Sequence, residues 1–246
     1  MQPILSSVNN QLVKEVIKLK TVKGRQKATH FIVEGQRACS TFIQNGYTPV
    51  HLFATEKNLD YAEKLFNNTL LVTEALFQKM SSAKTPSGIL ALFAIPNTVN
   101  NKKLSAGLVL ADIADPGNMG TLIRSAAAFN YKTVVIVGGC NPYSPKVLQA
   151  TAGTLPLVNL FLFSWPELLQ YKKDLRLTAL VVKGGKSPQE LKGNRLFVVG
   201  NEARGINPVY LKDCDDLVTL PMPGNTESLN AAVAGSLILA LQNLTH

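Results

Sequence analysis

Apolar and polar positions follow two different rhythms along this chain. Between residues 10 and 20, Val13, Val16, Ile17 and Leu19 fall among Lys14, Lys18 and Lys20, which predicts an amphipathic helix with a cationic polar side. KGRQK (23–27) reads as a turn or the start of an exposed loop. HFIVEG (30–35), HLFAT (51–55), LLVT (70–73) and GILALFAI (88–95) predict extended segments, with a helix over 36–45 and further helix between the later runs. PNTVNNKKLSAG (96–107) has the composition of a linker. Beyond it the runs become more regular: LVLAD (108–112), TVVIVGG (133–139), LTALVV (177–182), LFVVG (196–200) and DLVTL (216–220). Most are continuous rather than alternating, as in a parallel sheet covered on both faces. Helices are predicted over 119–129, 145–153, 166–171 and 228–242. The last is rich in Ala and Leu and is expected to be buried against the sheet or a second subunit. The fold class is α/β: a smaller domain at 1–96, a linker at 97–106 and a domain with a mostly parallel sheet at 107–246.

Composition supports that reading and adds a partner. Hydrophobic residues make up 46% and charged ones 17%, enough apolar material for a core. The net charge of +9 favours a polyanion, either nucleic acid or an acidic membrane surface. From Lys14 to Lys27 six basic residues meet one acid, Glu15, so Lys14, Lys18, Lys23, Arg25 and Lys27 are candidate phosphate contacts. Cys39, Cys140 and Cys214 are far apart and predict neither a disulfide framework nor a zinc site. No signal peptide and no membrane-spanning run is read from the sequence, so a soluble, cytoplasmic protein is expected.

Three segments carry candidate chemistry. In DPGNMGTLIRSAAAF (115–129) a turn leads into a helix at the carboxyl edge of the sheet, where open α/β folds form sites. Asn118 suits a helix cap that presents an amide to the crevice. Arg124 suits a phosphate clamp or a local ion pair; its spacing lets it face Asn118 only if the turn curls back. In VVGNEARG (198–205), Glu202 follows a strand and a glycine, either to hold a substrate group or as an ordinary loop acid. In LPMPGNTESLNAAVAG (220–235) a stiff Pro- and Gly-rich loop leads to Ser228 and Asn230 at an expected helix start. GxGxxG, GxxxxGK[ST] and GxSxG are missing, and His30, His51 and His246 lie outside these loops.

Together, in this order, the three segments resemble the motifs of the SpoU/TrmH branch of the SPOUT RNA ribose methyltransferases. Asn10, Lys14, Arg25, Phe31 and Glu34-Gly35 resemble the substrate-binding domain often fused before it. The resemblance implies a deep C-terminal trefoil knot, a homodimer, S-adenosylmethionine as methyl donor and no metal. It implies donor contacts at Gly200, Leu220, Met222 and Leu229, and an essential arginine at Arg124 that engages the target phosphate and helps to take the 2′-hydroxyl proton. Asn118, Glu202, Ser228 and Asn230 match the polar residues that hold substrate and arginine in place. Ala203 stands where many members have glycine, yet the polar core of the motifs is intact. The implied function is methylation of a ribose 2′-hydroxyl, in large-subunit ribosomal RNA given the N-terminal domain. The alternatives are transfer RNA or a non-catalytic RNA-binding assembly protein.

Overall fold

The computed structural model describes residues 3–96, 103–224 and 226–243, which leaves most of the expected linker outside the described residues. The chain forms two compact units.

Unit 1 begins with α1 (Gln11–Leu19), whose first turn is capped by the Asn10 side chain accepting from the N–H groups of Leu12 and Val13. A short α2 (Val22–Arg25) follows, capped by Thr21, where a turn or loop is expected. The difference comes from Gly24: a Cβ there would lie 1.9 Å from the Lys18 carbonyl oxygen, so only glycine lets α2 fold back onto α1. Next come β1 (His30–Glu34), α3 (Gln36–Gln44), β2 (Pro49–Ala54), α4 (Leu59–Leu65), β3 (Thr69–Leu71), α5 (Glu74–Met80) and β4 (Ile89–Ala94). The sheet order is β1-β4-β2-β3, antiparallel except for the β2–β3 pair. Val13, Val16 and Leu19 of α1 pack with Leu76, Phe77 and Met80 of α5 against Ile32, Phe53, Leu90 and Leu92. These helical positions are the apolar stripe seen in the sequence.

Unit 2 holds β5 (Gly107–Ala111), α6 (Pro116–Ala128) and β6 (Thr133–Val137). The next segment, Tyr143–Pro156 with α7 (Pro145–Ala150), belongs to unit 1, although it lies within the span 107–246 expected for the second domain. Its place follows from packing. The Tyr143 ring sits 4.9 Å from that of Phe31 on β1, beside Phe42 and Phe93, and α7 contacts the same strand. The chain returns to unit 2 with β7 (Asn159–Leu162), α8 (Trp165–Tyr171), β8 (Arg176–Leu180), β9 (Arg195–Val199), α9 (Pro208–Lys212), β10 (Asp216–Val218) and α10 (Ala231–Asn243). All six strands are parallel, in the order β10-β8-β9-β5-β6-β7. Every residue of β5, β6 and β9 is buried, the physical basis of their unbroken apolar runs.

Two features of unit 2 bear on later arguments. Arg176, Arg195 and Asp216 are the first residues of β8, β9 and β10, and Arg176 and Arg195 are register partners. Two arginines side by side need an anion. The Asp216 carboxylate supplies it, accepting from Arg176 Nε (3.0 Å), Arg195 Nη1 (3.1 Å) and Lys186 Nζ (2.7 Å), with its side chain only 4% exposed. The second feature is α10. It buries Ala232, Gly235, Ile238 and Leu239, and packs on α6 and β9. Its residues Val233 and Leu237 remain 46% and 43% exposed.

Candidate active site

Three loops leave the carboxyl ends of β5, β9 and β10, and hydrogen bonds tie them together. After β5 the backbone turns at Asp112, which has a φ of +57°, and reaches Asp115, the N-cap of α6. The Asp115 carboxylate accepts from the Asn118 N–H at 2.8 Å, so Asp115 caps the helix and Asn118 sits in its first turn. The capping expected of Asn118 is therefore taken by a residue whose acid also suits the positive end of a helix. The Asn118 side chain is left for the site.

After β9, Gly200 leads into a tight loop closed by paired backbone bonds between Asn201 and Gly205 (3.0 and 2.9 Å). A Cβ on Gly200 would lie 2.5 Å from the Gly205 carbonyl carbon and the Ile206 nitrogen, so a side chain there would push the loop open. Asn201 pins the loop: its Nδ2 donates to the Asp112 carbonyl (2.9 Å), and its Oδ1 accepts from the N–H groups of Ala203 and Arg204. Asn201 is not among the candidates of the VVGNEARG segment; its place before an acid in a Gly-bounded loop is the available signal.

Glu202 is the hub. Its carboxylate accepts from Asn118 Nδ2 (2.9 Å) and from the N–H groups of Asp115 (3.2 Å) and Ala114 (3.3 Å). Partial burial works against its charge. The bonds from Asn118, from its own backbone N–H and from Ala114 and Asp115 outweigh that and hold the carboxyl below its ordinary value. With its amide nitrogen donating to a carboxylate, Asn118 presents Oδ1 to Asn230, whose Nδ2 donates at 3.0 Å. Asn230 in turn caps α10, its Oδ1 accepting from Ala232 (2.8 Å) and Val233 (3.2 Å). The helix thus starts at Ala231 rather than at 228, and Ser228 lies before it as an exposed loop hydroxyl.

Beside this chain of bonds is a cleft of about 380 Å³, within the usual range for small-ligand sites. Gly200, Glu202, Leu220, Met222, Ser228 and Leu229 line it. So do Leu180, the last residue of β8, and Val181 and Val182 after it, which no motif marked. They come to the cleft because β8 lies between β9 and β10, a neighbourhood the sequence does not encode locally. Asn118, Asn230 and Arg124 do not line the cleft. Arg124 lies on the same continuous helix as Asn118, six residues on, which is about 9 Å along the axis and about 240° around it. The turn does not curl back, and one chain does not bring the two side chains together. Arg124 is exposed and makes no side-chain bond among the described residues.

The basic cluster of unit 1 divides in two. Lys14, Lys18, Lys23 and Lys27 line a groove of about 520 Å³ between α1 and the segment that follows it. Arg25, expected with them as a phosphate contact, is turned inward instead. Its Nη1 donates to the carbonyls of Leu19 (2.9 Å) and Lys20 (2.8 Å), closing the end of α1. Asn10 is likewise engaged, as the cap at the other end. Glu15, the single acid of the cluster, is paired with His30 Nδ1 at 2.8 Å.

Cross-tied loops around a cleft at the carboxyl edge of a parallel sheet, joined in one chain to a unit with a lysine-lined groove, define an α/β enzyme built for a nucleic-acid substrate. Comparison with known proteins gives its family. Residues 105–240 match the SpoU rRNA Methylase family, and residues 10–91 match the MRM3-like substrate binding domain. An uncharacterised tRNA/rRNA methyltransferase of Synechocystis is 31% identical, over 96% of this chain and 91% of that protein. The 23S rRNA (guanosine(2553)-2′-O)-methyltransferase RlmP of Bacillus subtilis is 28% identical, over 96% and 97%. The structure of a putative TrmH-family RNA methyltransferase from Porphyromonas gingivalis superposes with a TM-score of 0.86 at 26% identity, covering 98% of this chain and all of that one. The chain belongs to the SpoU rRNA methylase family: it is an RNA methyltransferase of the SpoU/TrmH type with an N-terminal substrate-binding domain.

Proposed function

We propose that this enzyme methylates a ribose 2′-hydroxyl of large-subunit ribosomal RNA, with S-adenosylmethionine as donor, and works in the cytoplasm as a homodimer. The observation that carries the reading is the unbroken Glu202–Asn118–Asn230 chain, which ties the three motif loops together beside the cleft that two of them line. The ribosomal substrate is supported by the alignment with the B. subtilis enzyme across both domains. The dimer is supported by the apolar side chains that α10 leaves outside, Val233 and Leu237. The same reading includes a deep trefoil knot in the C-terminal domain, which the parallel β10-β8-β9-β5-β6-β7 sheet supports.

The cleft suits the donor. Leu180, Leu220, Met222 and Leu229 offer an apolar wall, and the bare backbone of Gly200 lets a ligand approach closely. When bound, S-adenosylmethionine supplies an electrophilic methyl on a sulfonium sulfur, so no metal is needed and alignment is the protein's main task. Glu202 is an anchor and not a proton acceptor, because its carboxyl is held low and engaged by three donors. Arg124, with the planar donor fork of a guanidinium, holds the phosphate beside the target ribose. Ser228, whose hydroxyl has no partner among the described residues and lies on the cleft wall, positions the ribose.

Labelled methyl transfer from S-adenosylmethionine to ribosomal RNA from cells lacking the protein tests the reading. Label in one alkali-resistant dinucleotide is the expected result, because a 2′-O-methyl group blocks hydrolysis at that ribose. Alkali-labile label, or none while the RNA is bound, would overturn it. The lysine groove has its own readout. Replacing Lys14, Lys18, Lys23 and Lys27 with glutamine is expected to lower RNA affinity and to flatten the slope of log K against log salt by about 3, as four phosphate contacts require. An unchanged slope would place the RNA elsewhere.

A further inference from the structure

The donor cleft has two ionic side chains on its wall, Glu202 and Arg204, and they differ in one respect. The Glu202 carboxylate is engaged by Asn118, Asp115 and Ala114. The Arg204 guanidinium has no hydrogen-bond or ion-pair partner among the described residues, though the residue itself is firmly placed. Its backbone N–H donates to Asn201 Oδ1 at 3.1 Å, inside the loop closed by the Asn201–Gly205 backbone pair. Arg204 is exposed on this fixed loop, so its cation borders a largely apolar cleft and has no ion-pair partner among the described residues.

Polar groups in such clefts are few and serve to orient the ligand. S-adenosylmethionine carries one anionic group, the carboxylate of its methionine part, and the planar fork of an arginine matches a carboxylate with two parallel hydrogen bonds. We propose that Arg204 binds the donor's carboxylate and so selects a donor with an intact amino-acid tail. The assignment rests on the donor reading above and makes Arg204 a specificity residue, separate from the motif residues that tie the loops.

Calorimetric titration of the full-length protein with S-adenosylhomocysteine and with 5′-methylthioadenosine, which lacks the amino-acid tail, tests it. Arg204→Gln is expected to weaken S-adenosylhomocysteine by about 10-fold, the worth of one charge-assisted hydrogen bond. The affinity for 5′-methylthioadenosine should stay as in wild type, and Arg204→Lys should recover part of the loss. Equal weakening of both nucleosides, or unchanged nucleoside affinity with weaker RNA binding, would overturn the assignment while leaving the donor reading intact. Binding of neither nucleoside by the wild-type protein would overturn both. Matching thermal melts of variant and wild type show that the loop has not unfolded.

Discussion

Arg124→Ala is expected to lower the rate of methyl transfer by about 10²- to 10⁴-fold, the range for loss of a group that acts directly on the reacting hydroxyl or its neighbouring charge. The fold should be indifferent. Arg124 is exposed on α6 and makes no side-chain bond among the described residues, so its removal belongs with surface changes worth within about 0.5 kcal/mol. Donor affinity should also hold, because Arg124 does not line the cleft. Single-turnover transfer, a thermal melt and titration with S-adenosylhomocysteine separate the three effects. A rate within threefold of wild type would remove Arg124 from the chemistry, and a matching loss of donor affinity would make its role one of binding.

The largest stability effect is expected at the other end of the sheet. Asp216→Ala should cost about 3–5 kcal/mol, the usual result of leaving a buried charge without its partner. The Arg195 side chain is 5% exposed, and its bonds are to Asp216, Thr178 Oγ1 and the Lys192 carbonyl. Burial opposes the charge on Asp216, yet bonds from Lys186, Arg176 and Arg195 prevail and pull its carboxyl down to about 2. The unfolded chain has this group near ~3.9. Its contribution is therefore complete above about pH 4 and is lost as the pH falls from there toward 2. Urea unfolding followed by tryptophan fluorescence measures this in the right unit. The single tryptophan, Trp165, lies in α8, stacked 4.2 Å from Tyr210 and bonded to Asp213. Asp216→Asn should flatten the acid limb of wild-type stability between pH 4 and 2. A loss below 1 kcal/mol in Asp216→Ala would mean that the three cations are held well enough by water.

Element type was readable where one physical cause dominated. The continuous runs of β5, β6 and β9 report burial on both faces, and the stripe on α1 reports a single apolar face. β7 escaped because NLFL is four residues long and begins with asparagine, too short to show any period. α2 escaped because its cause is the approach of Gly24 to Lys18, a contact and not a pattern. The motifs named most of the polar groups at the site but not their roles. Glu202 and Asn118 are 84 positions apart, and Asn118 and Asn230 are 112 apart, so only folding reveals which amide faces which acid. Arg25 shows the opposite limit: its charge suggested a phosphate contact, while its carbonyl partners make it part of a helix end.

The segment Tyr143–Pro156 also sets an order of events on the ribosome. Synthesis delivers residues at about 5–20 per second from the amino terminus, and domains generally fold as they emerge. The four strands of unit 1 are complete once β4 has been made. Tyr143 and α7, which cover Phe31 and β1, come only after β5, α6 and β6. The nascent first unit must therefore wait, aromatic face open, while the first two of the second sheet's six strands accumulate behind it without β9, the strand that joins β5 to β8. The same nesting constrains gene shuffling. A crossover between residues 103 and 142 would leave the first unit with another parent's lid, so exchange of the substrate-binding part among relatives must carry 143–156 with it.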